Sequence, residues 1–484
     1  MNPSALLAAL AQAVGHAHVL THEDPRTDLS RWERDWRGRA HGRALAVVQP
    51  LSTAEVAAVV KVCAAHGASV VPQGGNTGLV LGSVPDASGQ QVVLSTTRLN
   101  RVRELDPANR TLTVEAGCVL QTVQGAAREA GLLFPLSLAA EGSCTIGGNL
   151  ATNAGGTQVL RYGNTRDLCL GLEAVSAEGE VWHGLSGLRK DNTGYDLRHL
   201  LIGSEGTLGI ITAATLKLFD APAAQVTAWA TVPSLTAAVD LLGLAQRRLG
   251  AGLTGFEVMG QFALSLVHKH FAQLRVPAWA DTPYAVLLEL SDTESATHAQ
   301  AQLEALLGQA IDAGCVSDAI VASNLAQAQG FWHVRESISL AQAEEGLNIK
   351  HDISLPISRI PAFCAETDAR LMQALPGVRI VNFGHLGDGN LHYNVQAPSG
   401  VDAADFLNRH ETEVNALVFA QVHAHGGSIS AEHGIGGLKA HALPQYKDPL
   451  ALAWMHRIKA ALDPHQRLNP GRVLLADQRY TGTP

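Results

Sequence analysis

Apolar and polar positions alternate with two different periods along the first half of the chain. A two-residue period, or a short apolar run bounded by turn residues, predicts strands at "ALAVVQP" (44–50), "QQVVLSTT" (90–97), "TLTVEAGCV" (111–119) and "LGIITAATLKLF" (208–219). A helical period predicts amphipathic helices at "TAEVAAVVKVCAAHG" (53–67) and "LQTVQGAAREAG" (120–131). Thr53 is the expected N-cap of the first and Gly67 its stop. Residues 4–14 predict a short helix. Near "DAPAAQ" (220–225) the texture changes. Long Ala/Leu-rich helical stretches (235–250, 295–314) flank the strand "YAVLLEL" (284–290), and "LALAWMHRIKAALDPHQRLNPG" (450–471) predicts a helix followed by a loop. The pattern predicts a mixed α/β or α+β first unit and a second domain with its own sheet and covering helices, the chain as a whole being classed as α+β. The expected borders are a first domain over 1–220, a second over 221–425 and a C-terminal segment over 426–484.

Composition narrows the function. Hydrophobic residues make up 46% and charged residues 16%, as in a globular protein, and a net charge of −9 disfavours nucleic acid as partner. Six dispersed cysteines with no C-x-x-C disfavour iron–sulfur ligation and a zinc ribbon and fit a reducing compartment. No Lys or Arg precedes Arg26 and no apolar run approaches about 20 residues, so a cytoplasmic location without a membrane span is expected.

Glycine is abundant, at 47 residues, and it clusters. "PQGGNTGLVLG" (72–82), "EGSCTIGGNLATNAGGTQVLRYG" (141–163) and "LIGSEGTLGIIT" (201–212) are nearly uncharged loops rich in bare backbone N–H groups, which suit an anion. Three in one domain predict a large polyphosphate cofactor lying along backbone. Neither a G-x-G-x-x-G fingerprint nor a P-loop is present.

A second chemistry lies downstream in "VNFGHLGDGNLHYNV" (381–395). Asp388-Gly389 is a two-residue hairpin signal. With it as the turn, His385 pairs with His392, Cβ atoms roughly 4.5–5.5 Å apart, a spacing that suits two ligands of one metal. Glu432 in "SAEHG" could add a carboxylate, giving a two-histidine, one-carboxylate Lewis-acid site for Zn²⁺, with Fe(II) allowed by the same ligands. The glycines at 434, 436 and 437 predict a loop here, and His433 is a candidate general base. Arg335 and Ser339 lie four apart on a predicted helix, where they share a face able to hold a carboxylate. Lys350 lies on the predicted strand "LNIKHDISLP" (347–356), and Asn394 shares the face of His392.

Taken together, the three loops and "SGLRKDNTGYDLRHLLIGSEGTLGIIT" (186–212) resemble the FAD-binding domain of the vanillyl-alcohol oxidase/p-cresol methylhydroxylase superfamily. "GHLGDGNLHYNV", "SAEHGIG" and "LDPHQRLNPG" resemble its D-2-hydroxy-acid dehydrogenase branch, most closely D-2-hydroxyglutarate dehydrogenase. The resemblance implies a two-subdomain FAD-binding domain of the p-cresol methylhydroxylase type and an α+β substrate domain with an antiparallel sheet. It implies that FAD contacts Pro72, Gln73, Gly74, Gly75, Asn76, Thr77, Gly78 and Leu79, then Gly142, Ser143, Gly147, Gly148, Asn149 and Thr152, with Ile211 and Asn469 beside it. Asn76 stands where some relatives carry a histidine that bonds the flavin, so FAD is expected to be non-covalent. Arg335, Ser339, Lys350 and Asn394 become substrate contacts, His385, His392 and Glu432 metal ligands, and His433 the base. Ser339 replaces the threonine usual in the family, which bears on pocket width. The expected reaction is oxidation of a D-2-hydroxy acid, with D-2-hydroxyglutarate ahead of D-lactate, D-malate or glycolate. Electrons leave to a separate acceptor, an electron-transfer flavoprotein or a quinone-linked carrier, and a homodimer is one permitted assembly. A metal-dependent hydrolase is the competing class.

Overall fold

A computed structural model describes residues 2–24, 27–477 and 479. The chain divides into two compact units. One comprises Met1–Gly155, Asn164–Ala221 and His433–Pro484, and the other Gly156–Gly163 and Pro222–Glu432. The division near residue 221 follows the change in sequence texture. The later border falls between Glu432 and His433, not at 425, because Ser428 pairs with Ser354 and the Glu432 N–H donates to Asp352 Oδ2 at 2.9 Å.

In the first unit a four-stranded sheet holds parallel strands Ala44–Val48, Gln91–Ser95 and Ser69–Gln73, with Val19–Leu20 antiparallel at one edge. The helix Thr53–His66 covers it, burying Val56, Val59, Val60 and Cys63. Its N-cap is Ser52, one residue before the expected Thr53: Ser52 Oγ accepts the Glu55 N–H, while Glu55 Oε2 accepts the Leu51 N–H. Thr53 points elsewhere and donates to Glu173 at 2.5 Å. A second, antiparallel sheet of five strands centres on Ile210–Lys217. The C-terminal segment joins this unit by pairing Leu468 beside Val70, and a buried Lys459 ties it down through Asp463 and the carbonyls of Thr207 and Leu468.

The second unit is one antiparallel sheet. Its backbone runs Asp318–Val321, Ala224–Val232, Tyr284–Asp292, Leu253–Gly260, Arg379–Gly384 and Asn390–Gln396, and two short strands, Asn348–Ile349 and Asp352–Ser354, pair with the last. The expected continuous strand at 347–356 is therefore interrupted at Lys350 and His351. Helices Leu235–Leu249, Ala296–Asp312 and Leu325–Glu345 accompany it, and Trp229, Met259, Phe331, Ile338 and Phe383 meet in its core.

The hairpin register differs from expectation. Phe383, not His385, stands opposite His392. A two-residue type I′ turn requires positive φ at both central residues. Here Gly389 has φ 85° but Asp388 does not share that conformation. The connection is instead a five-residue loop, residues 385–389, closed by His385 O accepting the N–H groups of Asp388 and Asn390. Gly389 is required there, since a Cβ would lie 2.4 Å from Leu355 O. His385 therefore sits on the loop, where its ring still approaches that of His392, with centroids 5.6 Å apart.

Candidate active site

In the first unit the loop at 74–78 leaves the strand Ser69–Gln73. Gln73 anchors it by donating to Trp32 O and Ser83 O at 2.9 and 2.8 Å. Asn76 adopts φ 55°, and its side chain donates to Arg31 O and Arg34 O while accepting from Ser83 Oγ. Asn76 thus shapes the loop from within. The first loop presses on the second. A Cβ on Gly74 would meet Thr145 Oγ1 at 2.2 Å, and one on Gly75 would meet Ser143 O at 2.0 Å. Gly142 and Ser143 precede the short helix Ile146–Thr152, which carries Gly147, Gly148, Asn149 and Thr152. Gly147 packs on Ala116, and Thr152 Oγ1 bonds back to Gly148 O. Ile211 is buried in its strand.

Asn469 is buried, with φ 45°, and donates to Gly82 O and Glu205 O at 2.7 and 2.8 Å. Glu205, unremarked in the sequence, accepts the N–H groups of Ile435 and Gly436, both at 2.7 Å. Burial raises its carboxyl above the usual range, and those two bonds partly offset the rise. The loop after His433 is fixed by this grip: Gly434 passes so close that a Cβ would lie 2.6 Å from Glu205 Oε1.

In the second unit the charged residues converge. Arg335 lies on the helix Leu325–Glu345 and is buried. Its Nε and Nη2 both donate to Glu257 Oε2, at 2.8 and 2.7 Å. His385 Nδ1 meets the other oxygen, Glu257 Oε1, at 2.7 Å. Glu257 is 1% exposed. Burial opposes charge on this pair, but mutual attraction prevails: His385 is lifted to about 9 by Glu257, and Glu257 is held below its ordinary range by His385 and Arg335. Phe383 lies between Arg335 and His392, its ring 4.9 Å from each.

His392 has a carboxylate at each ring nitrogen. Asp352 Oδ1 is 3.8 Å from Nδ1, and Glu432 Oε1 is 3.9 Å from Nε2. Candidate ligand atoms of Asp352, His392 and Glu432 all lie within 4.8 Å of one another. Asp352 was not foreseen as a member. Both its oxygens are occupied, Oδ1 by Asn390 Nδ2 and Oδ2 by the Glu432 N–H. Burial pushes Glu432 up to about 7, opposed by His385 and reinforced by Asp352, and its Oε2 accepts the Gly156 N–H. His433 follows Glu432 directly, in a loop as the glycines implied, and is half-buried.

The remaining predicted contacts divide. Lys350 is half-buried in the break between its two short strands, whereas Ser339 is exposed on its helix. Asn394 is buried, with Oδ1 accepting the His351 N–H and Nδ2 donating to Gln342. The ring nitrogens of His351 face Tyr393 O and Asn415 Oδ1, which places that imidazole in the interior network.

Residues 44–184 match an FAD binding domain, and residues 221–473 match the C-terminal domain of FAD linked oxidases, just over half the chain. The chain belongs to the FAD-linked oxidase family. Among its relatives are the D-2-hydroxyglutarate dehydrogenase of Xanthomonas citri pv. viticola, 41% identical over 99% of this chain and 98% of that protein, and the mitochondrial D-2-hydroxyglutarate dehydrogenases of Arabidopsis thaliana and Bos taurus, each 38% identical, over 91% and 97% of this chain and 77% and 83% of theirs. Substrate-bound p-cresol methylhydroxylase shares the fold, with a TM-score of 0.76 over 98% of this chain and 96% of that one at 16% identity. As an FAD-linked oxidase the protein is an oxidoreductase, and its first unit suits the flavin. Around the glycine loops two buried polar atoms, Thr145 Oγ1 and Asn469 Oδ1, have no hydrogen-bond partner among the described residues. A buried polar atom left unpaired costs on the order of 1–3 kcal/mol, which a polar cofactor would relieve. A colourless metal hydrolase is excluded by the same family membership.

Proposed function

We propose that the protein oxidises D-2-hydroxyglutarate to 2-oxoglutarate with non-covalent FAD and one divalent metal, zinc in our reading. The similarity to D-2-hydroxyglutarate dehydrogenases along essentially the full chain carries this reading. FAD, when bound, supplies the hydride acceptor. Asn76 supports a non-covalent cofactor, because its side chain is committed to Arg31, Arg34 and Ser83.

The chain's own residues then have distinct tasks. Arg335 and Lys350 bind carboxylate, Arg335 through the donors that Glu257 leaves free. Ser339 contributes a hydroxyl, and Asn394 keeps the neighbouring strand at His351 in place. His385, His392 and Glu432 would hold the metal, whose chemistry is Lewis acidity toward a substrate oxygen. Asp352 fixes the backbone around the site, accepting from Asn390 Nδ2 and from the Glu432 N–H, and its carboxylate lies close enough to His392 and Glu432 to join the ligand set. His433 accepts the hydroxyl proton, for which it must be neutral. Reduced flavin passes its electrons to a separate carrier.

The test is an anaerobic visible spectrum of purified protein before and after addition of D-2-hydroxyglutarate, D-lactate or D-malate. Flavin absorbance bleached fastest by D-2-hydroxyglutarate is the expected result. Equal bleaching by D-lactate would overturn the substrate, and flavin retained on the acid-precipitated chain would overturn non-covalent binding.

A further inference from the structure

Glu257 belongs to neither the proposed ligands nor the proposed substrate contacts, yet it touches one of each. It lies midway along the strand Leu253–Gly260, among Phe256, Val258 and Met259, with 1% of its surface exposed. An isolated carboxylate there would be expensive. Its two oxygens are divided between partners: Oε1 faces His385 Nδ1 at 2.7 Å, while Oε2 takes Arg335 Nε and Nη2 at 2.8 and 2.7 Å.

We propose that Glu257 is a positioning residue that sets both the metal-facing nitrogen of His385 and the substrate-facing edge of Arg335. With the proton of His385 held on Nδ1 by Glu257 Oε1, only Nε2 retains a lone pair for a metal. With Nε and one Nη2 hydrogen of Arg335 held by Oε2, the side-on fork of the guanidinium is used up. The substrate carboxylate is then met end-on, through the remaining Nη hydrogens. Arg335 is also neutralised locally. It orients the acid through those hydrogens. His392 differs: Asp352 Oδ1 lies 3.8 Å from its Nδ1, beyond hydrogen-bond distance, so of the two histidines His385 is the one whose Nδ1 is held by a buried carboxylate.

The inference rests on the metal and substrate reading above, and its test separates the two. Zinc affinity of purified flavoprotein is measured by competition with a chromogenic chelator, without turnover, for the parent, Glu257→Gln and Glu257→Ala. A glutamine amide can accept from one partner but sets N–H against N–H at the other. We expect zinc held about 10–100-fold more weakly in both variants, the usual scale for removing an orienting partner. FAD content should remain parental, and KM for D-2-hydroxyglutarate should rise more than kcat falls. Cobalt(II) in place of zinc should give a visible spectrum altered by Glu257→Gln. Parental zinc affinity in a folded Glu257→Gln protein overturns the inference and leaves the proposed function standing. A parent that binds no divalent ion overturns the metal reading itself. Should neither variant fold, the zinc-loaded parent decides by crystallography: ligation through His385 Nε2 supports the inference, and ligation through Nδ1 overturns it.

Discussion

The two units prepare their polar surfaces by opposite means. The flavin-binding unit uses backbone: glycines at 74, 75 and 147 sit so close to neighbouring chain that no side chain fits, and the loops carry almost no charge. The second unit uses side chains. Arg335, Glu257, His385, His392, Asp352 and Glu432 are packed with compensating charges in or beside an apolar sheet. Backbone N–H groups cannot titrate, so the first surface offers a fixed set of donors. Buried ionic groups hold their arrangement only while every partner is present. Steric substitutions should therefore damage the first unit, and charge-altering ones the second.

The largest expected effect tests the proposed proton acceptor, a titratable side chain that the chain's division gives to the first unit. His433→Ala should slow anaerobic flavin reduction about 10²–10⁴-fold, as measured by stopped flow, with FAD content unchanged. A parental rate would place the base elsewhere, and His351 is then a poor successor because both its nitrogens are engaged. Next comes Lys350→Met, a cleaner probe than Arg335 because no buried Glu257 is left unpaired by it. It should lower kcat/KM for D-2-hydroxyglutarate by about 10–100-fold, and by less for D-lactate, which lacks a second carboxylate. Equal losses on both substrates would assign Lys350 to their shared carboxylate.

Gly75→Ala probes the backbone surface of the first unit. A methyl group 2.0 Å from Ser143 O forces the two loops apart, at a cost of about 1–3 kcal/mol. FAD should bind roughly tenfold or more weakly by fluorescence titration, while the divalent-metal binding proposed for the second unit stays parental. Joint loss of both cofactors would break the contrast.

The smallest effect concerns pH. His385 is lifted to about 9 in the folded, metal-free protein, so its contribution is complete below the ordinary histidine value of 6.5 and is lost as pH rises through about 9. Glu432, raised to about 7, acts with the same sign between 4.5 and 7: its protonated form is favoured in the folded state, and stability falls as it ionises. Metal-free protein should therefore melt a few °C lower, about 2–4 °C, at pH 9 than at pH 6. A rise in melting temperature over that interval would contradict the Glu257–His385 assignment.

The same contrast explains what the sequence alone could disclose. Glycine loops announce themselves, because close backbone approach requires glycine at the site of approach; Gly74 and Gly75 are legible one residue at a time. His385, His392 and Glu432 stood out as chemistry in strand and turn contexts. Glu257 did not. Its partners lie 78 and 128 residues away, and nothing in "LTGFEVMG" names them, although a lone acid inside an apolar strand is itself a sign of a buried partner. Asp352 and Glu205 were missed for the same reason, each being defined by hydrogen bonds to distant backbone. The hairpin register failed on local conformation: Asp-Gly suggested a two-residue turn, but backbone closure at His385 O produced a longer one.

That longer loop separates what a tight turn would have fused. Had His385 and His392 been cross-strand partners, their spacing would be locked to the sheet, and any change to one would pass to the other. Because His385 stands on residues 385–389, held by Glu257 from a different strand, its position is a variable of loop length and of one carboxylate. Insertions or deletions in five residues could retune the distance between the two imidazoles, and with it the fit of the proposed metal, while the strand bearing His392, Asn394 and the sheet's hydrogen bonds stays untouched.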